Sequence, residues 1–231
     1  NSIKKIDCEN GILTILHNSE KNSISQSSDL IDWKIINTIQ NINCSQSKGN
    51  DTYYGSSTNG LSKIDKSENL TKYNLQNTNN IMDTSDNING LVTDQFGNIW
   101  GTKSHSTHPL FCKTNNNWHS FNMPFVANSS TEIGEIIIDD YGQKWGIRTG
   151  NGLFVYNDNN TIEDISDDQF VKITEAEGNG NLPDNDVYTL VNDLDGNIWV
   201  GTKTGVCVFY SPSSVFSGYN FDAQQIIIQE G

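Results

Sequence analysis

The sequence predicts an all-β chain, and three observations carry that reading. The first is composition: 34% of the 231 residues are hydrophobic, yet there are 19 glycines, 22 aromatic residues and four prolines. That balance suits a β-rich domain with many tight turns better than a disordered chain. The second is an excess of asparagine, 32 in all and often clustered, as at Asn115, Asn116 and Asn117. Asparagine tolerates left-handed backbone angles and is depleted inside strands, so many short strands separated by many turns are expected. The third is an internal repeat with a period of 45 to 54 residues.

The clearest repeat unit runs from Val187 through Asp193, Gly196, Trp199, Gly201 and Gly205 to Tyr210. One upstream copy carries Leu91, Asp94, Gly97 and Trp100, and another carries Ile136, Asp139, Gly142 and Trp145. A degenerate copy has Tyr53 in the tryptophan position and Gly55 behind it, and Gly11-Ile12-Leu13 reads as the tail of one more. The aromatic anchors Tyr53, Trp100, Trp145 and Trp199 stand 47, 45 and 54 residues apart. Within a unit, an apolar strand enters Asp-x-x-Gly, whose glycine can take the positive φ of a short hairpin loop, and a second strand leaves through the tryptophan. A further turn, such as Thr204-Gly205, feeds a third strand at 206–210, in register with 153–156 and 110–112. The aromatic segments at Trp33, Tyr73, Trp118–Phe121 and Phe170 supply a fourth.

Four short antiparallel strands per unit, with an inward aromatic anchor, describe a β-propeller blade. The whole of 1–231 then reads as one propeller segment of about four complete four-stranded blades with partial blades at both ends. The approximate boundaries are 1–16 (partial), 17–65, 66–113, 114–157, 158–211 and 212–231 (the start of the next). A chain opening at Asn1 and stopping at Gly231 between blade boundaries reads as a piece of a larger array, with no targeting signal in it.

Charge excludes other classes. Fourteen basic residues face 28 acidic ones, for a formal charge of −14, and Arg148 is the only arginine. Such a surface repels nucleic-acid phosphate and offers no set of guanidinium forks to grip it. The longest aliphatic runs, 136–138 and 226–228, fall far short of the roughly 20 apolar residues that span a bilayer. Cys8, Cys44, Cys112 and Cys207 show no C-x-x-C spacing. Cys44 aligns with Leu91, Ile136 and Leu190, and Cys207 with Phe111 and Phe154, so both are expected as buried thiols rather than disulfide partners.

The chemical motifs are sparse. Asp193-Leu194-Asp195-Gly196-Asn197 has the look of a calcium loop, but Thr202 and Lys203 stand where a bidentate glutamate belongs; a plain turn is expected. His105, His108 and Cys112 have a spacing zinc could use, yet they occur in one copy only and read as a solvated loop. Sialidase-type aspartate boxes place the aspartate differently and need an arginine cluster that a single arginine cannot supply. No catalytic residue, metal ligand or cofactor is assigned. Ligand contacts are expected, if anywhere, near the long loops at 76–87, 122–131 and 174–186, whose asparagines and acids suit sugar hydroxyls but equally suit solvation.

The pattern at 193–205, preceded by Leu182-Pro183-Asp184-Asn185-Asp186-Val187, resembles the two-component-regulator propeller repeat found in periplasmic sensor domains of hybrid histidine kinases. The run from Gly205 to Gly231, and the Trp100-Gly101 and Trp145-Gly146 pairs, resemble the PorZ-like propellers of the type IX secretion system. That resemblance implies a non-enzymatic component at the cell surface or periplasm, with protein partners in a secretion or attachment complex and a role in handling anionic lipopolysaccharide. Against such a polyanion the charge of −14 predicts contacts outside this segment, or contacts made by hydrogen bonds and metal bridges. The alternatives are a ligand-sensing propeller of a hybrid two-component kinase and, further off, a glycan-active enzyme, which would need two carboxylates about 5 to 10 Å apart across a cleft.

Overall fold

Twenty short strands form five antiparallel four-stranded sheets in the computed structural model, which describes residues 2–9, 12–18, 24–36, 39–123 and 126–227. Sheet one holds β1 (Ser2–Glu9), β2 (Ile12–Asn18), β3 (Ile24–Ser27) and β4 (Lys34–Ile36). Sheet two holds β5 (Ile42–Lys48), β6 (Asp51–Ser56), β7 (Leu61–Ile64) and β8 (Leu70–Lys72). Sheet three holds β9 (Asn87–Thr93), β10 (Ile99–Ser104), β11 (Leu110–Lys113) and β12 (Trp118–Phe121). Sheet four holds β13 (Ile133–Ile138), β14 (Lys144–Arg148), β15 (Leu153–Asn157) and β16 (Gln169–Ile173). Sheet five holds β17 (Val187–Asn192), β18 (Ile198–Thr202), β19 (Val206–Phe209) and β20 (Gln224–Ile226), with a single 3-10 turn at Pro212–Phe216 before β20.

Strand order within every sheet follows chain order, so each sheet is a meander, with connections as short as the Asp-x-x-Gly turns and as long as the stretch from Phe209 to Gln224. The first strands of successive sheets pack against one another and form the inner layer of a partial propeller. The hydrophobic core is correspondingly divided into four clusters, one at each junction between neighbouring sheets.

The grouping of strands differs from the sequence-based boundaries. The expected blades began on the segment before each hairpin, at 17, 66, 114 and 158. In the structure that segment pairs backward: β16 hydrogen-bonds to β15 and β12 to β11. The two ends, expected as partial blades, each form a full sheet, because β3 and β4 complete the first and 224–226 pairs with β19 to complete the fifth. Gly11 lies outside the described residues. The fourth strands β4, β8 and β20 are three residues long and mostly exposed, so no hydrophobic alternation marks them.

The Trp-Gly pairs have a packing cause. Gly101 faces Phe111 on the neighbouring strand and Gly146 faces Phe154, and a Cβ at either glycine would run into the ring. In sheet five the same position is Val200, and its partner is the smaller Cys207. Sheet two reverses the bulk again, with Tyr54 between Ser45 and Ser62. Interiors are packed to crystal-like density, so a large side chain on one strand requires a small one opposite. The thiol of Cys207 thus fills space beside a valine, and burial pushes its pKa up to about 12.

Cys44 is buried, but one position away from its expected alignment. It pairs with Gly55, whereas Ser45 occupies the place of Leu91. The reason is the hairpin of sheet two: four residues separate the pair Ser47 and Thr52, while five separate Thr93 and Ile99. Counting back nine residues from the aromatic anchor therefore lands on the opposite face of the strand, since side chains alternate with period two.

Candidate functional site

The repeated hairpin turn is a carboxylate lock. Oδ1 of Asp94 accepts hydrogen bonds from the backbone N–H groups of Phe96 (2.9 Å) and Asn98 (2.8 Å), and Oδ2 accepts from Asn98 Nδ2 (2.8 Å) and the Trp100 indole (2.9 Å). Asp139 accepts in the same way from Tyr141, Gln143 and the Trp145 indole (2.8 Å). Asp193 does so from Asp195, Asn197 and the Trp199 indole (2.8 Å). Gly97, Gly142 and Gly196 follow with φ of +77°, +80° and +78°, the left-handed angle that closes each loop. The amide side chain after the glycine was not singled out from the sequence, although Asn98, Gln143 and Asn197 stand at the same offset in all three copies.

Burial makes the turns at Asp139 and Asp193 electrostatically unlike. The donors around Asp193, Asn197 foremost and Trp199 next, hold its pKa down at about 2. Around Asp139 burial outweighs the same kind of donors and the pKa moves up. Trp100 and Trp145 are fully buried beneath the following sheet, whereas among the described residues no following sheet covers Trp199, and its cross-strand partner Val191 is exposed. Both Asp193 oxygens accept hydrogen bonds from the turn itself, the role of a turn residue.

The remaining motif positions are placed as follows. The Tyr53 ring stacks parallel to Tyr73 at 6.3 Å, and Gly55 leaves room for Cys44 and Ile88. Gly201 pairs with Val206, and the Gly205 carbonyl accepts from the Thr202 N–H and hydroxyl, both at 2.8 Å. All of these support the blades from within.

Among the described residues, two hollows lie at the ends of the sheets. The larger, of about 410 Å3, lies at the turn end between sheets three and four, beneath the exposed Phe96 ring and bounded by Ile138, Asp140, Asn160 and Ile162. Its wall contains an ion pair that the sequence did not announce. Lys144 Nζ lies 2.6 Å from Asp158 Oδ1, with both side chains 3% exposed, and 4.1 Å from the centre of the Trp100 ring. The second hollow, of about 360 Å3, lies at the opposite end of the sheets, over the starts of β9 and β13. It is rich in amides: Asn43 Nδ2 donates to Asn89 Oδ1 (2.7 Å), and Asn89 Nδ2 donates to Ser104 Oγ (2.8 Å). Asn87 and Glu132, at the ends of two of the long loops, also line it.

The metal-like spacing does not converge. Cys112 is fully buried, His105 is exposed with φ +59°, and His108 lines a separate hollow. Among the described residues no three His, Cys, Asp or Glu side chains are placed to hold a metal ion, and no helix is long and apolar enough to cross a membrane. Arg148 spends its guanidinium on the carbonyls of Val126 and Asn151.

Comparison with known proteins adds to this picture. Residues 181–204 match the two component regulator propeller. No curated protein matches the chain in sequence. Among solved structures, 98% of the chain aligns with PorZ, a bacterial surface component of the type IX secretion system of Porphyromonas gingivalis, at 20% identity and a TM-score of 0.78. The extracellular domain assigned to a hybrid two component system of B. thetaiotaomicron aligns over 97% of the chain at 18% identity and a TM-score of 0.69. A streptogramin B lyase aligns over 99% at 13% identity and a TM-score of 0.71. The chain spans 34% of the length of PorZ and 29% of that extracellular domain. At these identities the likeness is one of fold: the chain is a partial β-propeller carrying the two component regulator propeller repeat.

Proposed function

We propose that this chain is a non-enzymatic binding and scaffolding segment of a cell-surface or periplasmic propeller protein, similar in role to PorZ. The observation that carries the reading is the alignment of 98% of the chain with PorZ at a TM-score of 0.78, on a sequence whose 182–231 run and Trp-Gly pairs already resembled that group. The aspartates of the three turns support it. Their oxygens are held by four donors each, so they stabilise hairpins and are not poised as an acid and base pair.

The amide-lined hollow suits the hydroxyls of a glycan. For anionic lipopolysaccharide, the charge of −14 favours polyanion contacts outside this segment, or contacts made through hydrogen bonds and bridging metal. Titrating the full-length protein and the isolated segment with anionic lipopolysaccharide, with and without calcium, tests this. Tight binding by the full-length protein and weak or calcium-dependent binding by the segment is the expected result. Tight, calcium-independent binding by the segment contradicts the placement, and no binding by the full-length protein contradicts the ligand.

A second reading is the sensor propeller of a hybrid two-component regulator, favoured by the repeat at 181–204 and by the likeness to a two component extracellular domain. It expects transcription to respond to an added oligosaccharide, and that response to disappear when the gene is deleted.

A further inference from the structure

The outer half of the junction between sheets three and four contains a third hollow, of about 260 Å3, which neither the turn lock nor the amide cluster reaches. Phe121 and Tyr156, both buried, form its floor, and the half-exposed Phe170 and exposed Ile165 form its outer wall. The two floor rings stand 5.0 Å apart at 49° and make a corner. Asp168 sits beside them. Its Oδ2 accepts a short hydrogen bond from the Tyr156 hydroxyl (2.6 Å), whereas its Oδ1 is shielded from solvent and has no donor among the described residues.

The charges around this carboxylate are unbalanced. Asp158 and Asp167 add negative charge, and Lys144, which offsets part of it, is already bonded to Asp158. Burial pushes the Asp168 pKa upward, as befits a carboxylate short of a counter-ion. His108, on another wall, is joined through Nδ1 to Thr107 (3.2 Å). A buried carboxylate oxygen without a donor, beside aromatic faces, calls for a group that donates N–H and carries positive charge, because the carboxylate takes the hydrogen bond and the rings attract the cation within roughly 6 Å. An anion is repelled there, and a neutral sugar leaves the charge uncompensated.

We propose that this hollow binds the primary ammonium group of a compact hydroxylated amine, an amino sugar having the size and polarity that fit. Asp168 is the counter-ion, Phe170 and Phe121 are the aromatic walls, and Ser120 and Asn122 at the mouth receive hydroxyls. The outer wall is made of surface side chains, so it can part to admit the ligand while the buried floor stays fixed. The net charge of −14 raises the local concentration of cations around the segment. The inference goes beyond the role proposed above and stands or falls separately from it.

Calorimetric titration of the full-length protein with glucosamine, glucose and N-acetylglucosamine tests it, with tryptophan fluorescence as a second readout because the Trp100 ring lies 6.2 Å from Tyr156. Glucosamine is expected to bind saturably and at least about tenfold more tightly than either neutral sugar, and Asp168→Asn is expected to weaken it at least about tenfold. Phe170→Ala should weaken it several-fold, and Glu68→Gln, an exposed acid between β7 and β8 of sheet two, should leave it unchanged. If Asp168→Asn fails to fold, competition by methylammonium against glucosamine on the unaltered full-length protein decides: displacement supports the site. Equal binding of glucose and glucosamine, binding that survives Asp168→Asn in a folded protein, no saturable binding, or no displacement by methylammonium overturns it.

Discussion

Replacing Asp139 with alanine isolates the contribution of the turn lock where it is most buried. The substitution strands four donors: the backbone N–H groups of Tyr141 and Gln143, the Gln143 amide, and the Trp145 indole. Three of those donors belong to Gln143 and Trp145, 3% and 0% exposed; the Gln143 amide keeps a second acceptor in the Pro212 carbonyl, which leaves the Gln143 N–H and the Trp145 indole where water cannot readily take the place of the carboxylate. At about 1–3 kcal/mol for each buried donor left unpaired, the gross loss is about 2–6 kcal/mol. Part is returned, because the carboxylate no longer has to be held in a site whose burial raises its pKa, and a net loss of about 2–4 kcal/mol follows. Asp193→Ala removes the same four bonds from a turn beside the less buried Trp199, so water replaces more of them and the loss is smaller. Urea unfolding gives the global value, and hydrogen exchange at the three indole N–H groups assigns it to a turn. A loss below about 1 kcal/mol for Asp139→Ala, or equal losses for the two variants, would refute the reasoning.

Three further outcomes follow from the same geometry. Asp158→Ala strands the buried Lys144 ammonium and should cost about 3–5 kcal/mol, while Lys144→Met with Asp158→Leu recovers most of it; a double-mutant cycle without coupling would contradict a buried pair. Because Asp193 titrates at about 2 in the folded chain against 3.8 for the unperturbed group, its stabilisation is complete above the unfolded value and is lost as pH falls through the folded one. Asp139, shifted upward, has the opposite sign and gains relative stability on protonation, so acidification between about pH 4 and pH 2 should release the Trp199 indole to exchange before that of Trp145; the reverse order would be inconsistent with this assignment. Finally, Gly146→Val forces a side chain into the Phe154 ring and should cost at least about 1–3 kcal/mol, and adding Phe154→Cys, which reproduces the Val200 and Cys207 pair, should return part of it in thermal unfolding.

Much of the fold was legible in the sequence because the turn lock is local. Aspartate, glycine and tryptophan lie within seven residues of one another, so the chemistry that closes a hairpin is written in one short string. The outermost strands were not legible as members of the preceding sheet. A three-residue strand such as 224–226, separated from β19 by a 3-10 turn and exposed on both sides, leaves no period to read. The one-residue slip at Cys44 arose because the loss of a loop residue in sheet two changes which face a residue occupies without changing its hydrophobicity. Candidate sites were harder still. Lys144 and Asp158 lie 14 residues apart, and nothing in that spacing announces a buried pair. The hollow at Asp168 is made by two sheets that meet only in three dimensions, from residues as far apart as His108 and Phe170. The asparagines of the amide-lined hollow were visible only as part of a general excess.

The proposed role in secretion is tested most directly by deleting the gene in its host and measuring where type IX cargo accumulates by cell fractionation, with the full-length gene returned on a plasmid. The account predicts cargo retained in the periplasm in the deletion strain and restored to the surface by the returned gene. Normal surface delivery of cargo in the deletion strain, together with a lost transcriptional response to oligosaccharide, would contradict it and establish the sensor in its place.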